Sequence, residues 1–343
     1  MSVQYSTVQW NRQKRRYDRI MLVSIAVYLA LFAALQLAFY PTVSPETLII
    51  RATGTLALIM LHFILAIGPL SRIDSRFMPL LYNRRHLGVT LFLIAAVHGL
   101  FNIIQFHGLG NEDPLVSLFT SNTRYGSPGD FPFQVLGFFA LLILFLMAAT
   151  SHDFWLKNLH PKVWKSLHMM VYAAYALLIL HVMLGVVQLD QSPLWIGLAG
   201  LSMATVIGLH LRAGRLEKAG QHHLENADQA GFFPVCTADE IPENRAKIAL
   251  VDGQNIAIFR YDGKISAVSN ICRHQHGPLG EGKVVDGCIT CPWHGYQYLP
   301  HNGQSPPPYT EKLETYDVMI RDGMVWVNPQ PYPEGTERPP ALC

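Results

Sequence analysis

The chain has 343 residues, half of them hydrophobic and only 15% charged, and its mean hydropathy is +0.21, which argues against a single soluble globule and for a membrane protein. A formal net charge of +2 is too small for a nucleic-acid-binding surface, so no nucleic-acid partner is expected. The five cysteines, at 236, 272, 288, 291 and 343, all fall in the last third, a placement that suits metal ligation in a reducing compartment better than disulfides.

Residues 1–19 carry Arg12, Lys14, Arg15, Arg16 and Arg19 and read as a basic N-terminal segment. Six apolar runs follow, at about 20–39, 52–70, 86–106, 133–150, 166–188 and 193–211, each close to the ~20 residues that cross a bilayer. The first run has no small-residue cleavage site after it and is expected to stay as an anchor. The remaining basic residues of the connections are Arg72, Arg76, Arg84, Arg85, Lys157, Lys162, Lys165, Arg212, Arg215 and Lys218, on the side of the N-terminus, whereas Arg51 and Arg124 lie opposite. Basic loops are retained in the cytoplasm, so both termini of a six-span bundle are expected there, in a bacterial inner membrane. The loop from His107 to Phe131, with Glu112, Asp113 and Asp130, is the expected outer docking surface for an electron acceptor.

Ionisable residues inside spans are rare and usually functional, and the runs contain His62, His98, His168 and His181. Counting 1.5 Å per residue from the cytosolic edge puts His168 at roughly 3 Å, His62 at roughly 12 Å, His98 at roughly 18 Å and His181 at roughly 23 Å. His98 and His181 lie on parallel spans and could clamp an outer haem. His168, with His62 or His86 as partner, could hold an inner one, with Arg84 and Arg85 near its propionates. The competing reading is that these histidines only hydrogen-bond between helices.

Residues 213–231 mix Glu, Lys, Gln, His and Gly without apolar periodicity and read as a linker. From 232 to 330 short β-like runs such as Ile256–Phe259 and Met324–Val327 alternate with the turn pairs Asp252-Gly253, Asp262-Gly263, Asp286-Gly287 and Asp322-Gly323, the pattern of a small all-β domain. Residues 331–343 are expected to form a C-terminal tail.

Within the β region, Cys272-Arg273-His274 and Cys291-Pro292-Trp293-His294 each offer one thiolate and one imidazole. Two thiolates on one iron and two imidazoles on the other are what a Rieske [2Fe-2S] centre requires. Cys272 and Cys291 are expected on the inner iron, His274 and His294 on the exposed one. A structural zinc site is the alternative, although a single residue between Cys and His is unlike common zinc spacings.

These loops, with His276-Gly277-Pro278-Leu279, Trp293-His294-Gly295 and the Pro306-Pro307-Pro308 stretch, resemble the Rieske domain, in which that proline segment covers the cluster. Rieske proteins of respiratory bc complexes carry a further cysteine in each loop where this chain has Gly277 and Trp293, so the similarity is closer to Rieske ferredoxins and oxygenase-type domains. The apolar region, over about 20–211, resembles the ferric-reductase-like transmembrane family through Gly68-Pro69-Leu70 with Arg72, Arg84-Arg85-His86-Leu87-Gly88, His98, and Trp164-Lys165-Ser166-Leu167-His168 with His181. That resemblance implies b-type haem on the third and fifth spans.

Together these readings describe a multi-domain membrane protein: a six-helix transmembrane bundle plus a small all-β Rieske domain. It is expected to be an electron-transfer oxidoreductase with a [2Fe-2S] cluster and one or two b-type haems. No dinucleotide fingerprint appears, so a soluble cytosolic reductase is the expected donor, and ferric iron, a quinone or a periplasmic reductase the outer-face acceptor. The alternatives are a quinol-fed donor to a cytosolic oxygenase and a haem-free membrane redox sensor.

Overall fold

The computed structural model describes residues 12–81, 84–152, 155, 159, 161–189, 193–220, 227–228, 230–274, 277–293 and 295–343. Two compact units are present, one formed by Trp10–Leu70 and Asn83–Arg212, the other centred on Ala213–Cys343.

The first unit is helical: α1 (Arg12–Phe39), α2 (Pro45–Ile73), α3 (Arg84–His107), α4 (Pro114–Thr120), α5 (Phe133–Ala149), α6 (Pro161–Met169), α7 (Val171–Leu189) and α8 (Pro193–Gly220). Among the described residues, five helices are long and apolar enough to cross a membrane: Arg15–Phe39, Pro45–Ile73, Arg84–His107, Ser166–Gly185 and Pro193–Leu216. The fourth expected run forms an apolar helix of 17 residues, at the short end of the ~17–25 that span a bilayer. Its ends explain the length. Pro132 stands at its N-cap, and the hydroxyls of Thr150 and Ser151 turn back to donate to the carbonyls of Leu146 and Met147 at 2.6 and 2.7 Å.

The helices turn many apolar side chains outward; Leu22, Val23, Val27, Leu31 and Leu35 of α1 are all exposed. In water such a surface would be a liability, and in a bilayer it faces lipid while every helical backbone group is satisfied internally. Inside the bundle, α5 packs along both α7 and α3. His107, at the end of α3, is buried and engaged at both ring nitrogens, by Ser117 Oγ and Gln134 Oε1, each at 3.0 Å. The last long helix runs to Gly220, past the expected boundary at 212, and residues 221–226 of the expected linker lie outside the described residues.

From Phe233 onward the second unit is built from β strands. Its strands are β1 (Phe233–Thr237), β2 (Arg245–Val251), β3 (Gln254–Tyr261), β4 (Lys264–Ser269), β5 (Lys283–Val285), β6 (Cys288–Thr290), β7 (Gln297–Tyr298), β8 (Thr315–Tyr316), β9 (Val318–Arg321), β10 (Met324–Val327) and β11 (Ala341–Leu342). They form three antiparallel sheets: β1-β10-β9, then β11-β4-β3-β2 with β8 also on β4, and β5-β6-β7. The Asp-Gly pairs at 252, 262, 286 and 322 all have positive φ at both residues, which matches the right-handed strand twist of tight hairpins.

Strand β3 shows why the fold closes. Its side chains alternate, with Ile256 and Ile258 in one buried cluster and Ala257 and Phe259 in another, so the central sheet is covered on both faces. The second cluster contains Cys272, Cys291, Tyr296 and Tyr298. Full burial of a residue such as Phe259 contributes roughly 1.5–3 kcal/mol, so the cysteine loops are anchored to the strongest part of the domain. The stretch 331–343 is more than a tail, because Ala341 and Leu342 pair with Ile265 and Lys264 at the sheet edge.

Candidate functional site: two cysteine loops and a histidine pair

Each cysteine loop is closed by its own backbone. Cys272 N–H donates to Gly277 C=O at 2.9 Å, and Cys291 N–H to Tyr296 C=O at 2.8 Å, the same five-residue reach in both. Ile271 and Pro278 add a bridge at the base of the first loop, and Gly295 N–H returns to Cys291 C=O at 2.9 Å in the second. Both thiols are buried. The loops converge at Gly277, where a Cβ would stand 3.0 Å from Cys291 Sγ and 3.0 Å from the Trp293 ring. Any larger residue there would push the second loop away.

Two tyrosines on the β6–β7 side brace the loops. Tyr298 is fully buried; its Oη accepts from Arg273 N–H at 3.1 Å and lies 3.3 Å from Cys272 Sγ. With one lone pair taken by the amide, the hydroxyl proton is free to donate to a thiolate sulfur. Burial, followed by the neighbouring Cys272, holds the Tyr298 phenol well above its ordinary range, which keeps that proton in place. Tyr296 stacks on His274 at 4.9 Å with an interplanar angle of 8°, donates its hydroxyl to Glu311 and leans on Tyr309 at 4.8 Å. Tyr309 directly follows the Pro306-Pro307-Pro308 stretch and packs on the buried cluster that holds both cysteines. His294 lies outside the described residues. Cys288 opens β6, and burial, followed by Asp286, raises its thiol above the ordinary value, as expected for an inert side chain.

In the helical unit the structure brings His98 of α3 and His181 of α7 together, with ring centroids 6.3 Å apart and planes at 87°. Both rings are held the same way. His98 Nδ1 donates to Ile50 C=O at 2.9 Å and His181 Nδ1 to Phe133 C=O at 2.8 Å, which fixes the tautomer and leaves each Nε2 with its lone pair. A metal about 2 Å from each of two opposed imidazole nitrogens puts the ring centres roughly 6 Å apart, so this spacing fits iron held between them. The cradle is glycine on both sides: a Cβ on Gly54 would lie 2.7 Å from His98 Nδ1, and one on Gly137 would lie 2.9 Å from His181.

The other two histidines are placed differently. His62 Nδ1 meets Leu58 C=O at 2.8 Å and its Nε2 the Tyr175 hydroxyl at 3.1 Å. His168 Nδ1 meets Trp164 C=O at 3.0 Å, its Nε2 lies 3.3 Å from Ser151 Oγ, and its ring stacks on Trp164. Among the described residues no ring contact joins His62 to His168. His86, the other partner considered for His168, is bonded to Asp18.

A family model for the Rieske [2Fe-2S] domain matches residues 231–317, and one for the ferric reductase like transmembrane component matches residues 53–179. The chain is a Rieske [2Fe-2S] protein joined to a ferric-reductase-like membrane component. The Rieske part is similar to the anthranilate 1,2-dioxygenase ferredoxin subunit of Burkholderia cepacia, 33% identical over 106 residues that cover 31% of this chain and 98% of that one. It is also similar to the 3-phenylpropionate/cinnamic acid dioxygenase ferredoxin subunit of Photorhabdus laumondii, 33% identical over 95 residues, 27% of this chain and 90% of that one. Among solved structures, the ferredoxin of carbazole 1,9a-dioxygenase from Nocardioides aromaticivorans matches at 25% identity with a TM-score of 0.27, over 28% of this chain and 98% of that one. This Rieske and ferric-reductase-like fusion is a membrane-associated electron-transfer oxidoreductase.

Sequence reasoning missed Tyr296, Tyr298, Glu311, Gly54 and Gly137. None carries a local signal; each acts only through a partner brought to it by the fold.

Proposed function

We propose that this protein moves electrons across the membrane between a Rieske [2Fe-2S] cluster and b-type haem. The observation that carries the reading is the His98–His181 pair: two imidazoles on separate helices, each with Nδ1 tied to a carbonyl, at the spacing of a bis-imidazole metal site. Bound, the two groups would supply one-electron iron couples. Cys272 and Cys291 hold the buried side of the cluster, and His274 and His294 its exposed side. Tyr298 directs its hydroxyl at a ligand sulfur, and Tyr296 keeps the His274 ring in one plane. His62 and His168 serve a second haem only where the Tyr175 and Ser151 hydroxyls give up the two Nε2 atoms. A soluble cytosolic reductase is the donor, and ferric iron, a quinone or a periplasmic reductase the acceptor.

A spectrum of membranes containing the protein tests this reading. Reduction should give the α-band of a b-type cytochrome that disappears in His98→Ala and His181→Ala. A wild-type protein without that band removes the haem and leaves the redox sensor.

The similarity to dioxygenase ferredoxin subunits favours a second reading, in which quinol feeds the protein and the Rieske domain delivers electrons to a cytosolic oxygenase. Both readings place the same residues on the same groups and differ in the direction of flow and in the donor and acceptor at its two ends.

A further inference from the structure

We propose that a cavity in the helical unit binds the head group of a lipid-soluble quinone. The cavity has a volume of about 470 Å³, well inside the range of small-molecule sites, and is lined by residues including Asp18, Met21, His86, Val89, Ala148 and Ser151. It lies at the end of the bundle where α1 and α3 begin and α5 finishes. His86 is only two residues past the start of α3, a rise of roughly 3 Å, so the site stands at the membrane edge that a lipid-borne ring can reach sideways.

The wall chemistry selects the ligand. Met21, Val89 and Ala148 supply apolar surface for a flat ring. His86 and Asp18 supply the specific polar contact: His86 Nδ1 lies 3.0 Å from each carboxylate oxygen, and the Asp18 side chain is only 11% exposed. The carboxylate fixes the proton on Nδ1, and among the described residues no protein group bonds Nε2. The Nε2 of an imidazole can hydrogen-bond either a quinol hydroxyl or a quinone carbonyl. The pair therefore suits both redox forms of one ring, and Arg85 and His152 complete the polar part of the wall. Ser151, in the cavity wall, also reaches His168 Nε2, so the site touches a histidine of the bundle interior through one hydroxyl. This assignment rests on the electron-transfer reading above and, because the site stands at the end of the bundle expected to face the cytoplasm, it fits the version in which quinol feeds the protein rather than an outer-face acceptor.

The test is equilibrium binding of decylubiquinone to oxidised full-length protein in phosphatidylcholine nanodiscs. Expected is one saturable site, weakened about tenfold or more by His86→Gln and by Asp18→Asn, as loss of a charge-assisted hydrogen bond requires. Ala148→Phe, which fills the apolar wall and leaves the polar pair intact, should block binding. Wild-type affinity in both His86→Gln and Ala148→Phe overturns the site. So does loss of the haem α-band in His86→Gln, which would make His86 a metal ligand, or displacement of the quinone by an equal mole fraction of phosphatidylglycerol. Because binding is read without turnover, a protein that binds quinone through His86 but has no cluster signal sinks the electron-transfer reading and still supports the site.

Discussion

Tyr298 illustrates how one side chain can set the behaviour of a metal centre it does not ligate. Its oxygen is pinned by Arg273 N–H, so its proton has one destination, Cys272 Sγ at 3.3 Å. Reduction adds negative charge to the centre, and a hydrogen bond to a ligand sulfur stabilises that charge. Tyr298→Phe keeps the ring that fills the core and deletes only the proton. The midpoint potential of the cluster should fall, on the order of 50 mV for a bond worth roughly 1 kcal/mol in a one-electron couple. An EPR-monitored redox titration reads it, and an unchanged potential removes the role. Arg338 makes a comparable point for stability: it pairs with Asp317 and lies 4.1 Å over the Tyr332 ring, while Tyr332 Oη donates to the same carboxylate at 2.8 Å. Arg338→Ala should cost the β domain about 1–2 kcal/mol, visible as a thermal transition lowered by a few degrees.

At the scale of elements, the decisive fit is between helices. α2 offers Gly54 to His98 and α5 offers Gly137 to His181, each closer than a Cβ permits. Gly54→Ala and Gly137→Ala should therefore lower haem content per protein while leaving cluster iron unchanged, even though neither touches a ligand bond. A haem-to-cluster ratio equal to wild type would show that the helices can shift by the few tenths of an ångström required. These positions also mark where sequence reading stops. The Cys272 and Cys291 loops could be proposed as cluster ligands because the spacing within each loop is local and few chemistries use it. The Asp-Gly turns were legible for the same reason. Gly54 looks like any small residue in an apolar run, and Tyr298 like any aromatic in a strand, because their meaning depends on residues far away in the chain. The expected tail at 331–343 failed to announce β11 because two residues of edge pairing carry no periodicity.

For the whole molecule, the open quantity is the direction of flow, and it is a matter of relative potentials. Each 59 mV in a one-electron step is a factor of ten in equilibrium. Rieske centres span potentials of about −150 to +300 mV, wide enough for the cluster to lie on either side of a haem. A cluster below the haem proposed at His98 and His181 would drive electrons from the Rieske domain into the membrane. A cluster more than about 120 mV above it opposes that step by two powers of ten and makes the chain a donor to a soluble partner. Titrating cluster and haem in the same preparation decides the matter, and Tyr298→Phe supplies an internal control. Lowering the cluster potential should speed outward flow in protein that works in that direction and slow delivery in protein that works in the other. Rates of haem reduction by the pre-reduced cluster in sealed vesicles, compared between wild type and this variant, are therefore expected to rise if the acceptor lies across the membrane; slower oxidation of quinol-reduced haem in the variant would instead assign the Rieske domain to the output end of the chain.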